Sequence, residues 1–268
     1  MTDMQTFLMC RPDHFEVSYV INPWMAGNLG KVDKALAARQ WQHLYDILTA
    51  RADIQLIAPQ PGLPDMVFTA NAALVTPKHE AIIATFLHRE RQGETPHYRH
   101  YFRQQGYREV TLRSDIVLEG AGDALFDAAG RLWLASGIRS THTASDEVAR
   151  ALGIAVHSLT LIDPRWYHLD TAFCPLSNGE VIAYRKAFDA PSIAKIEQAF
   201  GERVLWVSGE DAADFSCNAV NIGRDVILYR ASAALKAALA RWNYNVIEVD
   251  VSEFMKSGGS CKCLTLEL

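Results

Sequence analysis

With 268 residues, 49% of them hydrophobic and 21% charged, the chain has an ordinary globular composition and room for a large core, as one large domain or two average ones. Its 26 basic and 31 acidic residues give a formal net charge of -5, which leaves no basic footprint for nucleic acid or an anionic membrane. No apolar run nears the ~18 residues of a membrane span, Met1-Thr2-Asp3-Met4-Gln5 lacks the pattern of a signal peptide, and five cysteines without a C-x-x-C pair point to a cytosolic protein with reduced thiols rather than a disulfide framework.

In chain order, Phe7 to Cys10 reads as a strand, followed by a turn-rich stretch from His14 to Met25. Asn28-Leu29-Gly30-Lys31 is no phosphate loop, because Met25 stands where the first glycine is required and Val32 follows the lysine. Leu36, Trp41, Leu44, Ile47 and Leu48 recur at helical spacing between Asp33 and Arg51, and Ile54 to Ile57 reads as the next strand. Beyond the turn residues Pro59, Pro61, Gly62 and Pro64, strands are expected at Met66 to Phe68, Ala73 to Val75 and Ala81 to Ile83.

The same order of elements then recurs. A helix is expected over Pro96 to Gln105, a strand at Glu109 to Leu112, and a strand pair at Ala124 to Phe126 and Leu132 to Leu134. Helices over Ser145 to Leu152, Ile193 to Phe200 and Ser232 to Trp242 each lead to a further strand, at Val156 to Leu161, Val204 to Val207 and Val246 to Val249. Strand pairs fall at Ala172 to Cys174 with Val181 to Tyr184, and at Ala219 to Ile222 with Val226 to Tyr229. The alternating Leu264-Thr265-Leu266-Glu267-Leu268 reads as a last strand. Five helix-strand-strand units make an internal repeat of about 50 residues the first fold to test.

One polar residue stands at an equivalent place in each unit. Asn71, Glu119, His168, Asn218 and Cys263 follow one another at intervals of 48, 49, 50 and 45 residues. Five units set around an axis would bring these groups together. A cysteine beside a histidine is an activatable nucleophile, with the thiolate attacking an electrophilic carbon while the imidazole moves protons. Gly258-Gly259 would let backbone approach a substrate without a side chain in the way. Asp65, Glu119, Asp123 and Asp170 could surround a cation, and a guanidinium is the cation that carboxylates grip with two hydrogen bonds. Asp65 and Asp123, next to Pro and Gly, are also ordinary turn and cap residues, and a single buried histidine is often only a packed one. Cys261-x-Cys263 and His168-x-Asp170 match no usual zinc spacing, so neither metal nor cofactor is expected.

Four ordered motifs resemble the guanidine-modifying, or pentein, superfamily: Pro64-Asp65-Met66-Val67-Phe68-Thr69-Ala70-Asn71, Leu118-Glu119-Gly120-Ala121-Gly122-Asp123, His168-Leu169-Asp170 and Gly258-Gly259-x-x-x-Cys263-Leu264-Thr265. The stretches Met9-Cys10-x-Pro12-Asp13-His14, Tyr19 to Met25, Phe86 to Glu94, Tyr167 to Thr171 and Lys262 to Leu266 are similar to arginine dihydrolases of cyanobacterial arginine-degrading proteins. The resemblance implies a single domain over residues 1–268, an α/β fold of five blades forming a propeller around a central site, and a small guanidine such as arginine as substrate. It further implies Cys263 as nucleophile, His168 as general acid and base, Glu119 and Asp170 as guanidinium carboxylates, Arg91 and Arg139 as holders of the α-carboxylate, and Asn22 on a loop over the substrate. Without the resemblance, Arg91 is as readily a surface ion pair with Glu90 or Glu94. The chain ends soon after Cys263, so the ornithine-processing domain of the cyanobacterial fusions is expected to be absent.

Position 71 departs from the deiminases, which carry an aspartate there. An amide NH2 at this place could bind the carbonyl oxygen of citrulline and hold it for a second attack that ends in ornithine. Alternatives within the class are an arginine deiminase, a dimethylarginine hydrolase and an amidinotransferase. Ribosome-binding anti-association factors share the fold but need no thiol. The alternation of a final strand would put Cys261 and Cys263 on one side, and the choice of Cys263 comes from the resemblance. The oligomeric state, a homo-oligomer included, stays open at this stage.

Overall fold

The computed structural model describes residues 4–268; Met1 to Asp3, which enter the argument about a signal peptide, lie outside it. Fifteen strands form five three-stranded sheets among the described residues, all on one plan. In each, a middle strand pairs antiparallel with one neighbour and parallel with the other. The middle strands Glu80–Ile83, Leu132–Ser136, Val181–Ala183 and Asp225–Leu228 pair antiparallel with Ala73–Thr76, Ala124–Phe126, Phe173–Pro175 and Val220–Ile222. Their parallel partners are Arg108–Glu109, Val156–Thr160, Val204–Trp206 and Asn245–Glu248. A parallel pair needs a crossover, and the helices Thr95–Gln104, Ala144–Leu152, Ala190–Phe200 and Ala233–Arg241 supply it. The fifth sheet joins the two ends of the chain: Thr6–Cys10 pairs with Asp53–Ile57 across the helix Lys34–Thr49, and with Leu266–Glu267 on its other side.

The helices start where local chemistry places them. Asp33, Asp189 and Ser232 each accept a hydrogen bond from the backbone N–H three residues on, satisfying a donor the helix cannot. The first helix buries Ala37, Trp41, Leu44 and Leu48 along one stripe, which is the periodicity seen in the sequence. Helix Ala144–Leu152 stops at Gly153, whose φ of 67° is the left-handed cap conformation.

The period is as expected, with three local corrections. Met66 to Phe68 is not a strand: Pro64 opens a tight turn closed by the Phe68 N–H on the Asp65 carbonyl at 3.0 Å, and the turn is buried on every side, so alternation carries no information there. The strand expected over Glu109 to Leu112 shortens to Arg108–Glu109. The final strand shortens to Leu266–Glu267, because the chain from Cys261 to Leu264 is turn: the Leu264 N–H meets the Ser260 carbonyl at 3.3 Å and the Thr265 N–H meets that of Lys262 at 3.0 Å. Cys261 and Cys263 therefore do not share the side of a strand. Asn71 lies in such a turn just before its sheet, and Glu119 and His168 stand at the entrance to similar turns.

The antiparallel outer strands of all five sheets line a cavity of about 430 Å³ at their far ends, with Val75, Phe126, Leu176, Asn221 and Leu266 among its walls. Among the described residues no helix is long and apolar enough to cross a membrane, and all five cysteines are free and buried.

Candidate active site

The turn after Gly258-Gly259 is held by one amide. Asn218 Oδ1 accepts from the N–H groups of Ser260 and Cys263, both at 3.1 Å, so its Nδ2 must point the other way. It donates to the Asp170 carbonyl at 3.0 Å and to Cys263 Sγ at 3.1 Å. The Cys263 thiol in turn points at Asp170 Oδ2, 3.5 Å away. Burial, and then the neighbouring Asp170 carboxyl, push this thiol well above its ordinary pKa. Burial also pushes Asp170 up to about 7, against the pull of Lys262. Asp170 Oδ1 is buried without a hydrogen-bond partner, and an unsatisfied buried acceptor of this kind marks a place built for a donor. A cation beside Asp170 and Cys263 would favour the ionised form of both.

The imidazole of His168 is 1% exposed, with Nε2 at 2.7 Å from Glu119 Oε2. Glu119 is wholly buried. Burial alone would raise its pKa, but the Arg139 guanidinium and the His168 ring hold it well below the usual carboxylate range. Arg139 donates from Nη1 to Glu119 Oε2 at 2.9 Å and from Nη2 to the Ile21 carbonyl at 3.0 Å, and it lies over the Tyr167 ring. Leu87 donates its N–H to the other Glu119 oxygen at 3.1 Å.

The second ring nitrogen of His168, Nδ1, is 3.4 Å from Asn71 Nδ2, which also donates to the Glu119 carbonyl at 3.3 Å. Asn71 Oδ1 accepts from Arg91 Nη1 at 2.8 Å. A guanidinium only donates and a carbonyl only accepts, so these two contacts fix which way the amide faces. The His168 nitrogen opposite its NH2 is then the unprotonated one, and the ring proton sits on Nε2 against Glu119. Arg91 is no surface residue. It is 3% exposed and grips Glu94 with Nε and Nη2, both at 2.8 Å, while Nη2 also reaches the Asp65 carbonyl at 3.1 Å.

Three further expected residues sit one layer out. Asp65 accepts from Tyr19 Oη at 2.9 Å and Ser257 Oγ at 3.2 Å, tying the Tyr19 loop to the turn before Cys263. Asp123 accepts from Ser140 Oγ at 2.6 Å and the Leu169 N–H at 3.1 Å, and so fixes the turn that begins at His168. Asn22 accepts from the N–H groups of Trp24 and Met25 and donates to the Ser257 carbonyl at 2.9 Å. The turn, cap and positioning chemistry considered for the aspartates is thus what their contacts display. Cys261 is buried against Phe7, Phe15 and Phe254, and burial pushes its thiol up to about 12. Sequence reasoning named Glu94 only as a surface partner for Arg91, a pair that the structure buries, and passed over Ser140, Tyr167 and Ser257. Of these, Glu94 and Tyr167 lay inside quoted motifs, whereas Ser140 and Ser257 carried no signal beyond adjacency. Among the described residues no cluster of three or more His, Cys, Asp or Glu could hold a metal ion.

A thiol, a histidine, buried carboxylates and two guanidinium groups are chemistry suited to a small polar molecule. A profile of the family described as N,N dimethylarginine dimethylhydrolase, eukaryotic, matches residues 19–268. The chain belongs to that family. Among its relatives, the bifunctional arginine dihydrolase/ornithine cyclodeaminase AgrE of Nostoc sp. is 47% identical over 270 residues, covering 100% of this chain and 38% of the relative. The N(G),N(G)-dimethylarginine dimethylaminohydrolase of Mycobacterium tuberculosis is 39% identical over 264 residues, covering 98% of this chain and 85% of the relative. The chain thus spans 38% of the length of the bifunctional curated relatives. A crystal structure of the N-terminal domain of ArgZ bound to substrate, described as an arginine dihydrolase from the ornithine-ammonia cycle in cyanobacteria, matches with a TM-score of 0.96 at 45% identity, over 98% of this chain and 97% of that one.

In this member of the dimethylhydrolase family two glycines make room for the site. A Cβ at Gly122 would lie 2.1 Å from Asn71 Nδ2, and one at Gly259 would lie 2.4 Å from the Phe68 ring. Phe68 stacks edge-on against Phe15 and Phe254 and has no easy retreat. Gly259→Ala is therefore expected to cost about 1–3 kcal/mol of stability by overpacking, and to lower turnover by shifting the turn that carries Cys263. Urea denaturation at equal m-value reads the first effect and a steady-state assay the second.

Proposed function

We propose that the chain hydrolyses the guanidino group of L-arginine through a covalent adduct on Cys263, yielding ornithine, carbon dioxide and two ammonia. The observation that carries the reading is the Asn71 amide, turned so that its NH2 faces the site beside His168 Nδ1. The guanidinium sets its N–H groups against Asp170, whose Oδ1 has no other partner. Its charge favours the Cys263 thiolate, whose proton passes to His168 Nδ1, and the thiolate attacks the guanidino carbon. His168 gives a proton to the departing ammonia, then takes one from the water that hydrolyses the thiouronium to citrulline. The ureido oxygen of citrulline accepts from Asn71 Nδ2, and the molecule stays for a second attack and hydrolysis. These release the second ammonia and a carbamate that loses carbon dioxide to leave ornithine. Over both rounds one arginine and two waters give ornithine, carbon dioxide and two ammonia.

Roles follow for the rest. Glu119 orients His168 and balances its charge, and Asn218 holds the thiol. Arg139, with donors to spare, and Arg91, with one, meet the α-carboxylate, while Asn22, Asp65 and Asp123 fix the turns around them. We further propose that residues 1–268 are one domain, with the five sheets as blades of a propeller around this site. The shared plan of the sheets and the cavity lined by all five support that arrangement. Five free thiols favour the cytosol.

The family match and the Mycobacterium tuberculosis relative favour a second reading, hydrolysis of dimethylarginine to citrulline. A panel of arginine, methylated arginines, agmatine and citrulline, followed over time, separates the two. Ornithine accumulating from arginine supports the first reading, whereas lasting citrulline without ornithine sinks it. The pH profile is a further check. Asp170, pushed up to about 7 by burial, gains a proton as pH falls through that value and then offers a guanidinium no charge. The kcat/KM for arginine should therefore drop as pH falls below 7, approaching ~10-fold per unit well below it. A profile flat from pH 7 to pH 5 would remove Asp170 from guanidinium binding.

A further inference from the structure

We propose that Glu94, acting through Arg91, is a positioning residue that fixes the Asn71 amide and so sets whether the reaction stops at citrulline or continues to ornithine. The inference rests on the reading above. Glu94 is 0% exposed and makes no hydrogen bond to Asn71, His168 or Cys263 among the described residues, so it cannot act on the substrate directly. What it touches is the guanidinium that touches Asn71.

Both Glu94 oxygens are engaged. Oε1 takes Arg91 Nε at 2.8 Å, while Oε2 takes Arg91 Nη2 at 2.8 Å and Tyr98 Oη at 3.2 Å. A fork of two parallel bonds fixes the plane of a guanidinium as well as its place. The Asp65 carbonyl at 3.1 Å and the Phe86 ring under the group complete the mounting. With Nε and Nη2 occupied, Nη1 is left to face Asn71 Oδ1 at 2.8 Å.

The amide of Asn71 has two orientations of nearly the same shape. One presents NH2 to His168 and the substrate, and the other presents the carbonyl oxygen. Arg91 is the donor that chooses the first from one side, as the Glu119 carbonyl does from the other. If Arg91 turns, half of that constraint is lost. The amide then spends part of its time with an acceptor facing the ureido oxygen, which is what an aspartate would present. Citrulline would leave instead of being attacked again.

Glu94→Gln keeps the volume but puts an NH2 against a guanidinium that can only donate, which breaks one arm of the fork. With arginine as substrate, the ratio of citrulline to ornithine should rise by about 10-fold over the unmodified protein. A residue needed only for the fold would lower turnover and leave the ratio where it was, and an unchanged ratio overturns the proposal. Should the unmodified protein itself release only citrulline, the ornithine reading fails, and the positioning is judged on arginine consumption instead. Glu94→Gln should then cost ~10-fold in kcat/KM alone but clearly less in an Asn71→Ala background, where only the α-carboxylate contact of Arg91 is left to lose. Equal losses in both backgrounds overturn the positioning. If Glu94→Gln does not fold, Tyr98→Phe, which removes one hydrogen bond to Glu94, carries the same measurements with a smaller expected shift.

Discussion

Cys263→Ser is expected to abolish turnover of arginine, by at least ~10³-fold, while Cys261→Ser leaves most of it. The two thiols are two residues apart in sequence and equally buried, but their surroundings differ. Cys263 Sγ meets Asn218 and Asp170, groups that direct a thiol and can hold a cation beside it. Both thiols belong to one apolar cluster, but burial pushes Cys261 up to about 12 with only the Ser260 hydroxyl and its own backbone pulling the other way, and no carboxylate stands beside it to hold a cation. A hydroxyl at position 263 accepts the same hydrogen bond from Asn218 but is a poor nucleophile at neutral pH. Cys263→Ser should therefore still bind arginine, visible as a thermal shift, and mass spectrometry should find no covalent adduct on it. Activity lost at Cys261→Ser and kept at Cys263→Ser would show that the wrong thiol carries the reaction.

Asn71→Asp should turn an ornithine-forming protein into a citrulline-forming one, with the product ratio moving by ~10-fold or more. One oxygen of the new carboxylate would pair with Arg91 Nη1. The other would replace Nδ2, where the Glu119 carbonyl lies at 3.3 Å and His168 Nδ1 at 3.4 Å. Two acceptors would then oppose each other unless Nδ1 carries a proton, and the ureido oxygen of citrulline would meet an anion in place of a donor. Arginine, cationic and rich in donors, suffers no such conflict, so the first attack continues. Product analysis over time on arginine checks this, and an unchanged ratio would remove Asn71 from product choice.

The repeat was legible because each sheet opens with a polar group in an otherwise apolar run, and Asn71, Glu119, His168, Asn218 and Cys263 kept near-equal intervals through five units. The short apolar runs of Ala73–Thr76 and Leu132–Ser136, bounded by turn residues, were enough to place the strands. Periodicity failed where burial has no sides. Met66 to Phe68 is enclosed all round, as is Cys261 to Leu264 apart from the half-buried Lys262, so apolar residues there say nothing about strand or turn. The burial of Glu94 was missed for the opposite reason. Arg89-Glu90-Arg91-Gln92-Gly93-Glu94 looks like a solvated run of charges, and only the fold shows Arg91 and Glu94 neutralising each other inside the protein. Asp65 and Asp123 were chosen for charge, yet their contacts belong to turns.

The pairing of Phe7 with Glu267 and Leu8 with Leu266 has a temporal meaning as well as a spatial one. During synthesis the strand Thr6–Cys10 emerges long before Leu266–Glu267, the edge partner that it pairs with. Until Leu266 pairs with Leu8, the turn that Asn218 clamps through the N–H groups of Ser260 and Cys263 has no anchored far end. A partly made chain can therefore fold most of its sheets without displaying an aligned thiol. Chemical competence therefore waits until two segments far apart in sequence find each other.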